Sequence, residues 1–146
     1  MRVSELMSRE LVTVPVGATM KGAAGQMLQN GVGSVIVLNG ETPAGIVTEM
    51  DALRVGYATN RPFEKVPVRK VMSRPLKTIE PNKTIRTAIG RMKQEGIKKL
   101  PVVSGFDLVG IITMSDIILN HGELVTEARQ LESGHGDRDP DEWRGG

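Results

Sequence analysis

The 146-residue sequence contains no cysteine and almost no aromatic side chains. Without cysteine, disulfides, thiolate metal sites and a cysteine nucleophile are excluded, and a reducing compartment is expected. Aromatics make up 3% of residues against 39% hydrophobic overall, so the core must be assembled from Val, Ile, Leu, Met and Ala. No stretch approaches the roughly 18 apolar residues of a membrane-spanning helix. The first ten residues carry charge every few positions and lack the apolar segment of a secretory signal. These absences lead to the expectation of a soluble cytoplasmic protein with no membrane partner. Charge of one sign is scarce too. The formal net charge is +2, and the basic residues are scattered. With so few rings to stack on bases, composition does not call for nucleic-acid binding. His121 and His135 are too few and too isolated for a metal site. Neither a Ser/His/Asp set nor a Gly-rich phosphate loop ending in Gly-Lys-Ser/Thr occurs. The eight methionines fall mostly at helix-stripe positions and are expected in the core. No metal, no required cofactor and no catalytic residue are expected.

What the chain does have is an internal repeat. Met7-Ser8-Arg9 recurs as Met72-Ser73-Arg74, Gly45-Ile46 as Gly110-Ile111, Thr48 as Thr113 and Asp51 as Asp116, each displaced by 65 positions. Aligning residues 3–51 with 68–116 gives 18 identities in 49 positions without a gap, far above chance, which marks a duplication. A β-type stretch opens each copy, at 11–14 and 76–79. A helix follows, with Thr19 and Thr84 as N-caps and Gly31 and Gly96 where a left-handed terminal residue belongs. Ala23, Ala24, Met27 and Leu28 form its apolar stripe in one copy, and Ala88, Ile89 and Met92 in the other. Two short strands come next, at 34–38 and 44–47, and at 99–103 and 108–112. Their turns contain Asn39-Gly40 and Ser104-Gly105. A second helix follows each aspartate, and the one after Asp116 reads as running through Leu119, Leu124 and Val125 toward Ala128 and Leu131.

The expected fold is therefore α/β (α+β), with tandem β-α-β-β-α repeats, each a small sheet with helices on one face. A unit of about 60 residues is marginal alone, so the copies should pack together. The expected boundaries are 1–60 for the first repeat, 61–67 for the connection, 68–132 for the second repeat with its C-terminal helix, and 133–146 for a flexible tail.

The order of elements, the duplication, the closing Gly-Ile-Val-Thr-Glu-Met-Asp (45–51) and Gly-Ile-Ile-Thr-Met-Ser-Asp (110–116), and Lys98-Lys99-Leu100-Pro101-Val102-Val103 resemble the CBS domain, named after cystathionine β-synthase. The resemblance covers about residues 1–120. It implies a pseudo-twofold pair of the stand-alone type that acts as a regulatory module, not an enzyme. It also implies an adenine nucleotide (AMP, ADP or ATP) as regulatory ligand in the clefts between copies. S-adenosylmethionine or methylthioadenosine is an alternative ligand, and a ligand-free interaction scaffold an alternative role. The helices after Asp51 and Asp116, with Leu53, Ile117, Ile118 and Leu119 exposed, would pair two modules into a homodimer that signals to a regulated protein.

The Thr-x-x-Asp segments admit two readings. Thr with an acid three residues on is a capping-box pattern that serves only the helix. Alternatively, the glycine three residues upstream lets a ligand approach the backbone, and the helix N-terminus presents N–H groups and a positive dipole end to a phosphate. By the resemblance, the aspartate accepts hydrogen bonds from both ribose hydroxyls, and each cleft mixes the copies. The second-repeat site would use Ile111, Thr113, Ser115, Asp116 and Lys99, with Thr13, Val14, Pro15, Val16, Ala18, Gly33 and Ser34 from the first copy. The first-repeat site would use Ile46, Thr48, Met50 and Asp51, with Thr78, Ile79, Glu80, Pro81, Lys83, Ile97 and Lys98. Lys98 and Lys99 are the candidate phosphate cations, and Arg54 could add charge near Asp51. The sites are expected to be unequal, with Asp116 the better equipped because Lys99 lies in its own copy.

Overall fold

The computed structural model describes residues 1–131. The 133–146 segment lies outside them. Each copy builds its elements where the caps and turns dictate. In the first, strand β1 (Thr13–Pro15) leads to helix α2 (Met20–Asn30), the hairpin β2 (Ser34–Asn39) and β3 (Thr42–Thr48), and helix α3 (Glu49–Ala58). A short helix α1 (Val3–Leu6) precedes them. In the second copy, helix α4 (Ile85–Glu95) is followed by the hairpin β4 (Lys99–Ser104) and β5 (Asp107–Thr113), then α5 (Met114–Leu119) and α6 (His121–Leu131). Thr19 and Thr84 cap α2 and α4 by accepting from Gly22 and Thr87 N–H, and Gly31 and Gly96 end them at φ 61° and 66°. Gly40 and Gly105 take φ 65° and 63° in the hairpin turns, where L side chains are strained.

Two expectations are corrected. The stretch 76–79 is not a strand. In the first copy β1 pairs parallel with β2, and Ile36 N–H donates to Val12 C=O at 3.0 Å. The residue 65 positions after Ile36 is Pro101, which has no N–H to give, so the second sheet keeps a single parallel bridge, Ile79 to Val102. The last helix is also not continuous. Asn120 ends α5 at φ −104°, ψ 20°, and its side-chain amide donates to Asp116 C=O at 2.7 Å. That bond satisfies a terminal carbonyl locally and lets α6 start at His121 in a new direction.

Packing joins the copies in a way the repeat alone does not suggest. The first core holds Met20, Ala23, Met27, Val35, Val37, Val47 and Val55, and also Val66 and Val68 from beyond α3. The second holds Ile85, Ala88, Met92, Leu100, Val102 and Ile112, and also Val3 from the start of the chain. Each copy's lead-in segment thus completes the other copy's core. Val3 N–H donates to Lys83 C=O at 2.8 Å, and Val68 N–H to Ala18 C=O at 3.0 Å. Ser8 bridges to Ile111, and Ser73 to Ile46. Every one of these contacts recurs at an offset of 65, which makes the pair pseudo-twofold. Ile117, expected on the surface, is 5% exposed and belongs to the second core.

Candidate functional site

The hairpin register places the polar residues that matter. Thr113 ends β5 directly opposite Lys99, the first residue of β4. Thr48 stands opposite Ser34 in the same way. Both threonines form full capping boxes. Thr113 N–H donates to Asp116 Oδ2 at 3.0 Å and Asp116 N–H to Thr113 Oγ1 at 3.1 Å. Thr48 N–H donates to Asp51 Oδ2 at 2.9 Å and Asp51 N–H to Thr48 Oγ1 at 3.2 Å. The capping reading is therefore correct as far as it goes. It occupies one carboxylate oxygen in each copy and leaves Oδ1.

The two Oδ1 atoms differ in their surroundings. Asp51 Oδ1 has Arg54 Nη1 at 3.7 Å. The residue at the matching position in the second copy is Leu119, and Asp116 Oδ1 has no hydrogen bond or ion pair among the described residues. Asp116 lines a cleft of about 390 Å³ where the copies meet. Of the residues expected there, Gly33, Ser34, Lys99, Ile111, Thr113, Ser115 and Asp116 come together around it. Thr13, Val14, Pro15, Val16 and Ala18 are not in its lining. Pairing with β2 draws Thr13–Pro15 into the sheet, Val14 is buried in the first core, and Val16 and Ala18 pack against that core. The segment just before them, Glu10, Leu11 and Val12, borders the cleft instead, with Ser8, Gly31, Val32, Ile36 and Glu49.

The expected first-repeat residues are spread more widely. Ile46, Thr48, Met50 and Asp51 follow one another through β3 into α3, with Met50 exposed. Ile79 is buried in the second core, which removes its side chain from any cleft. Thr78 C=O accepts from Arg91, Glu80 pairs with Lys83, and the carbonyls of Pro81 and Lys83 hold the lead-in at Ser4 and Val3. Ile97 packs on the second core, and Lys98 C=O accepts from Met114 N–H. The segment 78–83 is thus occupied as a seat for the other copy's lead-in.

Two parts of the ligand reading change. The motif glycines face the other copy's lead-in segments. A Cβ on Gly110 would stand 2.7 Å from Ser8 O and 2.8 Å from Met7 Sδ, and one on Gly45 would meet Met72 Sδ at 2.7 Å and Ser73 O at 2.9 Å. They are glycines so that the crossing lead-in segments can lie against the hairpins. The helix start is also less open than expected. Met114 N–H goes to Lys98 C=O and Asp116 N–H to Thr113, leaving Ser115 N–H as the one of the three without a partner among the described residues. With α5 only six residues long, its dipole is small, and the charges of the cleft come from side chains.

Those charges are Lys99, Asp116, Glu49 and Glu10. Burial pushes the Lys99 ammonium below its ordinary pKa, and the nearby Glu49 carboxylate opposes the shift. Glu49 and Glu10 are the charged residues of the cleft lining that sequence reasoning missed. Glu49 sits beside Thr48 in the repeat motif, and the available signal was its unlike counterpart, Met114. A second hollow, of about 380 Å³, lies between α4 and α6 and is lined mainly by Ile85, Ile89, Leu124 and Leu131, away from both aspartates. None of the described helices is long and apolar enough to cross a membrane.

The family model described as CBS domain matches residues 3–57 and 68–121. CBS domain-containing protein YhcV of Bacillus subtilis is 32% identical over 118 residues, covering 81% of this chain and 84% of that protein. Uncharacterized protein MK0525 of Methanopyrus kandleri is 33% identical over 118 residues, and the match covers 80% of this chain but only 60% of that longer relative. Among solved structures, CBS domain protein PAE2072 from Pyrobaculum aerophilum complexed with AMP superposes with a TM-score of 0.78 at 26% identity, covering 88% of this chain and 98% of that one.

Proposed function

Because the chain belongs to the CBS domain family, we propose that it is a cytoplasmic regulatory module, not an enzyme, that senses an adenosine ligand in the cleft at Asp116, with AMP the foremost candidate. The observation that carries this reading is Asp116 Oδ1, a carboxylate oxygen without a protein partner among the described residues, in a cleft that also contains an ammonium. A carboxylate held by its other oxygen suits a ribose diol, because the free oxygen accepts from both hydroxyls without moving the helix. Val12 and Val32 give a base an aliphatic bed. Lys99 supplies one cation, enough for one phosphate. The AMP-bound relative supports the choice. The Asp51 site is the weaker of the two, since Arg54 already faces its free oxygen.

The test is calorimetric titration with AMP and adenosine across pH. A bound phosphate attracts the Lys99 ammonium and raises its pKa, so binding takes up protons between the free and bound values. AMP affinity should be full below the free value and fall as pH rises through it, beginning below the ordinary lysine value of 10.5. Adenosine affinity should stay flat over the same range. Lys99→Met should remove the pH dependence and weaken AMP about tenfold. No binding of either ligand would end this reading.

Signalling requires a surface that a partner can read. Met50, Leu53 and Tyr57 recur on one face of α3 at 51%, 67% and 94% exposure, and Ile118 and Leu119 are exposed on α5. This apolar surface is proposed as the homodimer contact. Leu53→Asp with Ile118→Asp should halve the mass measured by light scattering. A wild-type chain already monomeric at high concentration would refute the contact.

A further inference from the structure

Glu49 is a cleft carboxylate that the duplication does not repeat, since its place in the second copy is taken by Met114. It opens α3, and its N–H donates to Gly33 C=O at 3.0 Å. That bond ties the start of the helix to the strand entrance and sets Glu49 into the lining of the Asp116 cleft, although Glu49 belongs to the Asp51 copy. A Cβ on Gly33 would stand 3.0 Å from Glu49 Oε1 and 2.9 Å from Lys99 Nζ. The carboxylate and the ammonium therefore border the same small patch of backbone. Glu10 lines the cleft as well, so Lys99 is outnumbered by carboxylates.

We propose that Glu49 sets the charge of the ligand that the Asp116 cleft admits, accepting adenosine ligands with one phosphate or none and turning away polyphosphates. This rests on the reading of the cleft as an adenosine-ligand site. With the ribose on Asp116, the 5′ substituent is the end that varies in charge, and Lys99 is the cation it can meet. A phosphate drawn to Lys99 comes within range of the Glu49 carboxylate, because both groups border Gly33. One phosphate gains more from the ammonium than it loses to the carboxylate. Each further phosphate adds repulsion, with no second cation in the lining among the described residues to offset it. Gly33 belongs to the same device, since any side chain there would press on both charges.

The experiment is calorimetric titration of the full chain with adenosine, AMP and ATP at low salt. The proteins are wild type, Glu49→Gln, and Glu49→Gln combined with Asp116→Asn. Gln keeps the shape and the N–H bond to Gly33 and removes the charge. Glu49→Gln should tighten ATP about tenfold and AMP about threefold while adenosine stays within about twofold. The gain should shrink as salt is raised, which a merely structural effect would not do. It should disappear when Asp116→Asn is added. An unchanged ratio of ATP to adenosine affinity in Glu49→Gln overturns the proposal and leaves the cleft reading intact. A gain that survives Asp116→Asn overturns it by placing ATP elsewhere. Absence of binding by all three ligands removes the cleft reading, and this proposal with it.

Discussion

Asp116→Asn should weaken AMP binding about a hundredfold, while Asp51→Asn should change it less than threefold. The asparagine in Asp116→Asn would retain a side-chain oxygen for the Thr113 N–H, so the cap at the start of α5 survives at a cost below about 1 kcal/mol. What is lost is the anionic acceptor for the ribose hydroxyls. Hydrogen bonds to a charged group contribute about 1.5–3 kcal/mol each, so losing the charge from a pair of them accounts for two decades of affinity. The asymmetry follows from the chemistry of the two free oxygens. Asp51 Oδ1 has Arg54 at 3.7 Å, and Asp116 Oδ1 has no such neighbour among the described residues. Calorimetry on both variants, with melting curves to confirm that each folds, decides the matter. Full AMP affinity in Asp116→Asn would remove the site assignment, and a selective loss in Asp51→Asn would reverse the order of the two sites.

Gly110→Ala should lower the melting temperature by about 10 °C, and Gly45→Ala by a similar amount. The added methyl at Gly110 would meet a backbone oxygen, Ser8 O, at 2.7 Å, and backbone cannot swing aside as a side chain can. Ser8 O also accepts from Ile111 N–H at 2.9 Å, so relieving the clash stretches that bridge. Overpacking alone costs about 1–3 kcal/mol, and a weakened bridge adds to it, which for a chain of this size gives a drop of this order. Gly25→Ala and Gly90→Ala are the controls. Both lie inside helices with open space at the Cβ, and both should stabilise by about 0.5–1 kcal/mol. If Gly110 were instead kept bare for a ligand, its alanine variant would melt normally and lose AMP. That result would contradict the packing role assigned here.

The sequence discloses whatever is local. Thr19, Gly31, Thr84 and Gly96 mark helix ends because capping depends on neighbours within a turn, and all four cap as expected. The hairpins are legible from paired short apolar runs and from Gly40 and Gly105 in the turns between them. The duplication fixes the pairing of Thr48 with Thr113 and of Asp51 with Asp116, and with it the membership of the CBS domain family. What eludes the sequence is long-range. Nothing near Val3 indicates that it packs with Ile85 and Met92, because the contact is made across more than half the chain. The effect of Pro101 on the strand at 76–79 is visible only once the partner strand is known. The cleft lining is displaced from the expected Thr13–Pro15 to Glu10, Leu11 and Val12 for the same reason, since sheet pairing decides which part of that segment is free. Glu49 is hidden by its position in the motif: it is an exposed residue at the start of α3, and only the placement of the other copy shows that it also borders the Asp116 cleft.

The exchange of lead-in segments also governs how the protein can come into being. Synthesis proceeds from the N-terminus, and the first core needs Val66 and Val68, which follow the whole of the first copy. That core can close only after both have left the ribosome. Val3 is made before its neighbours Leu100, Val102 and Ile112, so it waits without its burial site until they follow. Neither repeat is a unit that finishes alone. The loop that joins Val3 to β4 spans most of the described chain, and closing such a loop is slow because its entropy must be lost before the contacts form. The cleft beside Ser8 is complete only when that lead-in lies against the hairpin of the other copy.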